Sequence, residues 1–144
     1  MPKKFRIFLD SSALISGLNS PTGGARIIIS AFLAGEFSIY ISNQVIEEVQ
    51  QVIQSKFPLL KDPFLNFLLA QPKIVKNPTL KEIRYAHKLI HSEDAPILAA
   101  ALKSKPDFLI TWDTKHFLKK EVVSNVPFTI CTPKEFIQKY WKRK

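Results

Sequence analysis

A chain of 144 residues with 46% hydrophobic content can bury one sizeable core and reads as a single domain, residues 1–144. Its formal charge of +9 points to an anionic partner, nucleic acid first, unless the basic surface serves only solubility. The one cysteine, Cys131, excludes an intrachain disulfide and a cysteine-rich zinc site; no membrane-length apolar run and no signal-peptide core after Met1-Pro2-Lys3-Lys4 lead to an expected cytoplasmic location.

Residues 5–10 alternate aromatic and aliphatic side chains and predict a central strand, after which Ser11 and Ser12 open a short helix to Leu18. Asn19-Ser20-Pro21-Thr22-Gly23-Gly24 is a loop by composition. Residues 25–34 predict a helix stopped by Gly35, and 37–41 a second strand. Ser42 and Asn43 are N-cap types for a helix over 43–55. A connection over 56–63 leads to a short apolar helix at 64–69, a small strand at Ile74-Val75, and a turn at Asn77-Pro78-Thr79 into a helix near 80–90. Ser92 is the expected N-cap of a helix over 93–104, followed by a third strand at 108–111 and a short helix at 114–119. Residues 128–130 predict an edge strand, and Thr132-Pro133 starts a terminal helix. In that helix one of Tyr140 and Trp141 is expected on the core and the other toward solvent or a dimer contact; Lys142-Arg143-Lys144 reads as a solvated end. Strands alternating with helices predict a parallel sheet covered on both faces.

Four acids stand out against this pattern. Asp10 ends the apolar run Ile7-Phe8-Leu9, and Asp113 ends Phe108-Leu109-Ile110-Thr111-Trp112. Carboxylates at the carboxyl ends of buried parallel strands face one shared crevice. Glu48 lies beside Glu47 in a helix whose Val45, Ile46, Val49 and Val52 form an apolar stripe, and one of the two glutamates must border it. Asp94 opens the Ala/Leu-rich segment that runs to Ala101. Gathered carboxylates repel one another unless a cation sits between them. Mg²⁺ and Mn²⁺ take such oxygen ligands, and four carboxylates suit one or two ions. An acidic crevice in a basic chain points to cleavage of a polyanion. Each acid also has a simpler role available: Asp10 and Asp113 as helix caps, Glu48 on a solvated face, Asp94 at a favourable helix-dipole end.

Other signals are weaker. His87 and His91 have zinc-ligand spacing, but Lys88 stands where a zinc protease helix carries glutamate. Gly23-Gly24 lacks the spacing and the following lysine of a phosphate loop, and no serine sits in a nucleophile elbow. Cys131 follows an apolar stretch and is expected to be a buried structural thiol.

With these residues in view the chain resembles the PIN-domain nucleases, and among them the VapC-like toxin components. Residues 7–18, Ile-Phe-Leu-Asp-Ser-Ser-Ala-Leu-Ile-Ser-Gly-Leu, are similar to the family's first strand, first acid and following helix. Ile41-Ser42-Asn43-Gln44-Val45-Ile46-Glu47-Glu48 is similar to the second motif, whose acid follows the serine by six residues, which favours Glu48 over Glu47. Ser92-Glu93-Asp94-Ala95-Pro96 resembles the third, and Thr111-Trp112-Asp113 the fourth. Two positions depart: the common Asp-Thr-Asn is Asp10-Ser11-Ser12, and a further acid found in some members is replaced by His116.

The resemblance implies a three-layer α/β/α sandwich and metal-dependent hydrolysis of RNA. Asp10, Glu48, Asp94 and Asp113 would hold Mg²⁺ or Mn²⁺, with Ser12 and Thr111 orienting the carboxylates. Lys115 and Arg26 are candidates to guide the phosphate backbone. The family further implies a homodimer and a protein antitoxin. Competing expectations are a PIN-type RNA-processing nuclease without an antitoxin and an inactive nucleic-acid-binding module. A receiver-like signalling domain would need paired acids after its first strand, where only Asp10 stands.

Overall fold

The middle of the sheet is β1 (Arg6–Leu9), whose Ile7, Phe8 and Leu9 are buried. The structure is a computed structural model that describes residues 4–141; the expectations for the first three residues and for Lys142-Arg143-Lys144 lie outside the described residues. Near-continuous apolar runs suit strands of a parallel sheet buried on both faces, and β4 (Phe108–Ile110) has the same character. Five strands pair in the order β3-β2-β1-β4-β5, all parallel, in a three-layer α/β/α arrangement. Ile7 lies opposite Ile39 of β2 (Ser38–Ser42) on one side and Phe108 on the other.

Chain order explains where a crevice must form. From β1 the chain passes through α1 (Ser11–Asn19) and α2 (Gly24–Leu33) to β2, then through α3 (Asn43–Ser55) and α4 (Lys61–Leu69) to the edge strand β3 (Lys73–Val75). It returns across the sheet by α5 (Leu80–Ile90) and α6 (Ala95–Ser104) to β4, and leaves through α7 (Thr114–Phe117) and α8 (Lys120–Val123) to the opposite edge, β5 (Thr129–Cys131). The helices after β1 and β4 therefore lead to opposite edges, and the carboxyl ends of these two adjacent strands flank the topological switch point. Asp10 and Thr111 are the residues that follow those strands.

Local chemistry sets most boundaries. Ser42 Oγ accepts from Val45 N at 3.2 Å to start α3, which buries Val45, Val49 and Ile53, leaves Glu47 exposed and half-buries Glu48. Thr79 and Glu82 form a reciprocal capping box at the start of α5. Gly35 takes a left-handed φ of +82° after α2, and Glu36 N reaches back to Ala31 O at 2.9 Å, so the helix stops there as expected.

Several bounds shift by a residue or two from the sequence expectation, and four differences stand out. Helix α4 begins at Lys61, because Pro63 sits in its first turn, where no amide donor is needed. Helix α6 begins at Ala95 instead of residue 93, since Ser92 Oγ accepts from Asp94 N at 3.1 Å and turns the chain before the helix. Residues 120–123 are helical where no element was expected. The terminal helix is a short α9 (Pro133–Glu135) running into a π-helical turn, Phe136–Tyr140. There Trp141 packs edge-on against Phe37 at 4.8 Å, while Tyr140 is 44% exposed. Cys131 is buried as expected, and burial pushes its thiol up to about 12. Among the described residues no helix is long and apolar enough to cross a membrane.

Gly17 lets α1 and α2 approach. A Cβ there would lie 2.4 Å from Ile29 Cδ1 and 3.0 Å from the Ala25 carbonyl oxygen, which is backbone and cannot rotate away. Gly17→Ala is expected to destabilise the fold by about 1–3 kcal/mol through overpacking; a urea midpoint equal to that of the parent would show that the two helices separate freely.

Candidate functional site

Asp10 follows β1 and is 3% exposed. A carboxylate so buried is costly unless it is well hydrogen-bonded, and here three donors meet it. Oδ1 accepts from Ser11 N at 2.8 Å, with Ser11 Oγ nearby at 3.4 Å. Oδ2 accepts from Thr111 Oγ1 at 2.7 Å and Ser12 Oγ at 3.0 Å. Asp10 thus caps α1 and also joins β1 to the segment after β4. Burial pushes its carboxyl above the ordinary range, as does the charge of Glu48, against the pull of the bonds from Thr111, Ser12 and Ser11.

Ser12 and Thr111 hold more than Asp10. Ser12 Oγ accepts from Trp112 N at 3.0 Å, and Thr111 Oγ1 accepts from Asp113 N at 2.9 Å. The two hydroxyls fix the backbone of 111–113 against α1, leaving the Trp112 side chain 42% exposed. Ser11, not singled out by the sequence pattern, donates to Glu48 Oε1 at 2.5 Å, and Gln44 Nε2 lies 3.4 Å from Glu48 Oε2. Glu48 is therefore the glutamate that turns toward Asp10, while Glu47 lines a separate 210 Å³ hollow with Asn77 and Pro78.

Asp94 and Asp113 meet on the other side. Asp94 occupies the N-cap position of α6 without a side-chain cap bond, so its carboxylate is available elsewhere. Asp113 caps α7, accepting from His116 N at 3.3 Å. His116 Nδ1 stands 3.1 and 3.0 Å from the two oxygens of Asp113 and 3.6 Å from Asp94 Oδ2. The fully buried Phe117 anchors the turn that carries them. Ligand atoms of Asp94, Asp113 and His116 all lie within 4.8 Å of one another, the one such group among the described residues. Asp10 and Glu48 form the adjoining hydrogen-bonded unit, and Asp10 is close enough to repel Asp94.

The two aspartates titrate in opposite directions. Asp94 is raised to about 7, by burial first, then by its hydrogen bond with Asp113 and by repulsion from Asp10 and Asp113, with His116 opposing. Burial pushes Asp113 up as well, but its hydrogen bonds with His116 and Asp94 outweigh that and hold it below the ordinary range. Of the two, Asp94 is the one drawn toward protonation. Carboxylates crowded in this way are short of positive charge, which a divalent cation supplies, and the carboxylate and imidazole donors suit one.

Two basic residues expected near the crevice behave differently. Arg26 Nη1 donates to Gly17 O at 3.3 Å and ties α2 to α1, whereas Lys115 is exposed, two residues from Asp113. His87 and His91 pack edge to face at 5.6 Å on α5.

The family model described as PIN domain matches residues 6–115. Among curated proteins none matches the chain. Among solved structures, PAE2754 from Pyrobaculum aerophilum is similar with a TM-score of 0.60 at 17% identity, covering 88% of this chain and 83% of that one. VapBC2 from Rickettsia felis, bound to a DNA fragment from its promoter, gives 0.60 at 16% over 88% of this chain and 98% of that one. Mycobacterium tuberculosis VapC20, a sarcin-ricin loop cleaving toxin, gives 0.56 at 12% over 83% and 95%. At these identities the likeness is one of fold.

Thr111→Val removes the shortest bond to Asp10 at nearly constant volume. It is expected to cost roughly 1–3 kcal/mol, the cost of stranding a buried acceptor; an unchanged urea midpoint would show that another donor takes its place. The raised Asp94 sets a second outcome. An unfolded aspartate titrates near 3.9, so the stabilisation from neutral folded Asp94 is complete below about pH 4 and is lost as pH rises through about 7. Asp94→Asn stays neutral throughout. In EDTA its stability relative to the parent is expected to rise between about pH 4 and 7 and to level off above; a difference that stays flat with pH would contradict a raised Asp94.

Proposed function

This chain belongs to the PIN domain family, and from that premise we propose that it is a metal-dependent endoribonuclease acting as the toxin of a toxin–antitoxin pair. The observation that carries this reading is the convergence of Asp10, Glu48, Asp94 and Asp113 on the β1/β4 switch point of a chain with net charge +9. The basic surface draws in a phosphate backbone irrespective of sequence, while the local acids would repel it without a cation.

The residues present fit Mg²⁺ or Mn²⁺. Asp94, Asp113, Asp10 and Glu48 would hold the ion or ions. When bound, such ions lower the pKa of water and neutralise charge on the phosphoryl oxygens. The chain contributes the orientation: Thr111 and Ser12 fix the rotamer of Asp10, and Ser11 keeps Glu48 beside it. Asp94 must release its proton before it ligates, so metal affinity is expected to rise with pH through about 7. Hydrolysis adds water across one P–O bond of the strand, leaving a phosphate on one fragment and a hydroxyl on the other.

The similar structures from Rickettsia felis and Mycobacterium tuberculosis support the toxin reading, the first as a VapBC assembly and the second as a sarcin-ricin loop cleaving toxin. A protein antitoxin, a homodimer and a cytoplasmic location belong to the same proposal.

The test is cleavage of labelled single-stranded RNA with Mn²⁺ or Mg²⁺ by wild type, by Asp10→Asn, and by wild type in EDTA. Cleavage is expected to vanish in EDTA and to fall in Asp10→Asn by more than the 10–100-fold that loss of an outer partner costs. Well-folded protein that cleaves none of several RNAs and binds no Mn²⁺ by calorimetry would leave a binding module instead.

A further inference from the structure

Resting on the nuclease reading above, we infer that His116 is a metal ligand and that it turns the centre away from Mg²⁺ toward divalent transition ions, which accept nitrogen, Mn²⁺ among them. Its Nδ1 lies between the two aspartates, 3.0 Å from Asp113 Oδ2 and 3.6 Å from Asp94 Oδ2. The three donor atoms lie within 4.8 Å of one another. Two ligands on opposite sides of an ion with bonds of about 2.1 Å stand roughly 4.2 Å apart, so small side-chain rotations suffice to place all three on one ion.

The position is also held. His116 is one turn beyond Asp113, its backbone N donates to Asp113 Oδ1, and its neighbour Phe117 is fully buried. The imidazole itself is 38% exposed, which leaves it open to an ion arriving from solvent. His116 Nδ1 faces the oxygens of Asp113. To ligate, that nitrogen would present its lone pair to the ion, any proton it carries passing to solvent. A histidine serving only as an ion-pair partner for Asp113 would do the opposite and depart as the metal enters.

The chemistry of the donors gives the selectivity. Mg²⁺ demands near-ideal octahedral oxygen coordination and sheds water reluctantly. Imidazole suits ions such as Fe²⁺ and Ni²⁺ best, and affinities for mixed nitrogen and oxygen sites rise from Mn²⁺ through Co²⁺ to Ni²⁺, with Mn²⁺ the mildest of the series. A carboxylate at position 116 would add negative charge and an oxygen donor, both favouring Mg²⁺.

The experiment uses the full chain loaded with Mn²⁺ and read by pulsed electron paramagnetic resonance. A directly bound imidazole gives ¹⁴N modulation that changes when the protein carries ¹⁵N-histidine. The chain has three histidines, so His87→Asn/His91→Asn serves as the control that must keep the signal. The expected result is modulation in wild type and in that control, its loss in His116→Asp, and at least a tenfold fall in the calorimetric Mn²⁺/Mg²⁺ affinity ratio for His116→Asp. Bound Mn²⁺ without histidine modulation in wild type overturns the inference, whether or not any variant folds, and so does an unchanged ratio in folded His116→Asp. RNA cleavage with Mg²⁺ is measured alongside: cleavage that persists while modulation is absent removes the role of His116 and leaves the nuclease reading standing.

Discussion

The buried carboxylate of Asp10 is the contact on which the site's architecture depends. Removing such a charge from water is costly, with an effective penalty of several kcal/mol per ion in real proteins. The fold meets that penalty with bonds from three residues, Ser11, Ser12 and Thr111, which belong to two separate parts of the chain. The same hydroxyls that stabilise Asp10 also fix the backbone of Trp112 and Asp113. Satisfying one acid therefore positions another, and the sheet's switch point becomes a rigid frame.

Charge balance is organised in two tiers around that frame. The inner tier, Asp10 with Glu48, is quieted by hydroxyl and amide donors. The outer tier, Asp94 with Asp113, has fewer such donors and sets the imidazole of His116 between its two carboxylates. The chain as a whole is basic, so the acidic crevice is a local inversion of its field. On the proposed reading, an anionic strand would be attracted over long range by the surface and then held off at the centre until cations intervene.

Much of this was legible in the sequence because buried parallel strands write themselves as apolar runs. The three strands at 5–10, 37–41 and 108–111 were visible for that reason, and Asp10 and Asp113 stood out as the charges that end two of them. Glu48 needed the resemblance to be told apart from Glu47, since a helical stripe borders both; the exposure of Glu47 and the bond from Ser11 to Glu48 separate them in space. The role of Ser11 depends on a contact 37 residues away, which no local pattern records. His116 registered only as a departure from a motif, because its meaning comes from Asp94 on another helix. The start of α6 was misplaced because a serine turn before the helix mimics a cap: Ser92 binds the amide of Asp94, which frees the Asp94 carboxylate for Asp113.

Trp112 adds something of a different kind. Its backbone amide is pinned by Ser12, one residue from Asp113, while its side chain remains 42% exposed. The other tryptophan, Trp141, lies against Phe37 and Phe136 beyond the far end of the sheet's register. The molecule thus carries one fluorophore beside its crevice and one against its aromatic core. Iodide quenches an exposed indole far more than a packed one, so a strand lying across the crevice would shield the emission of Trp112 and leave that of Trp141 as an internal reference. Occupancy of the crevice can thereby be followed optically, with no label and without any bond being cut.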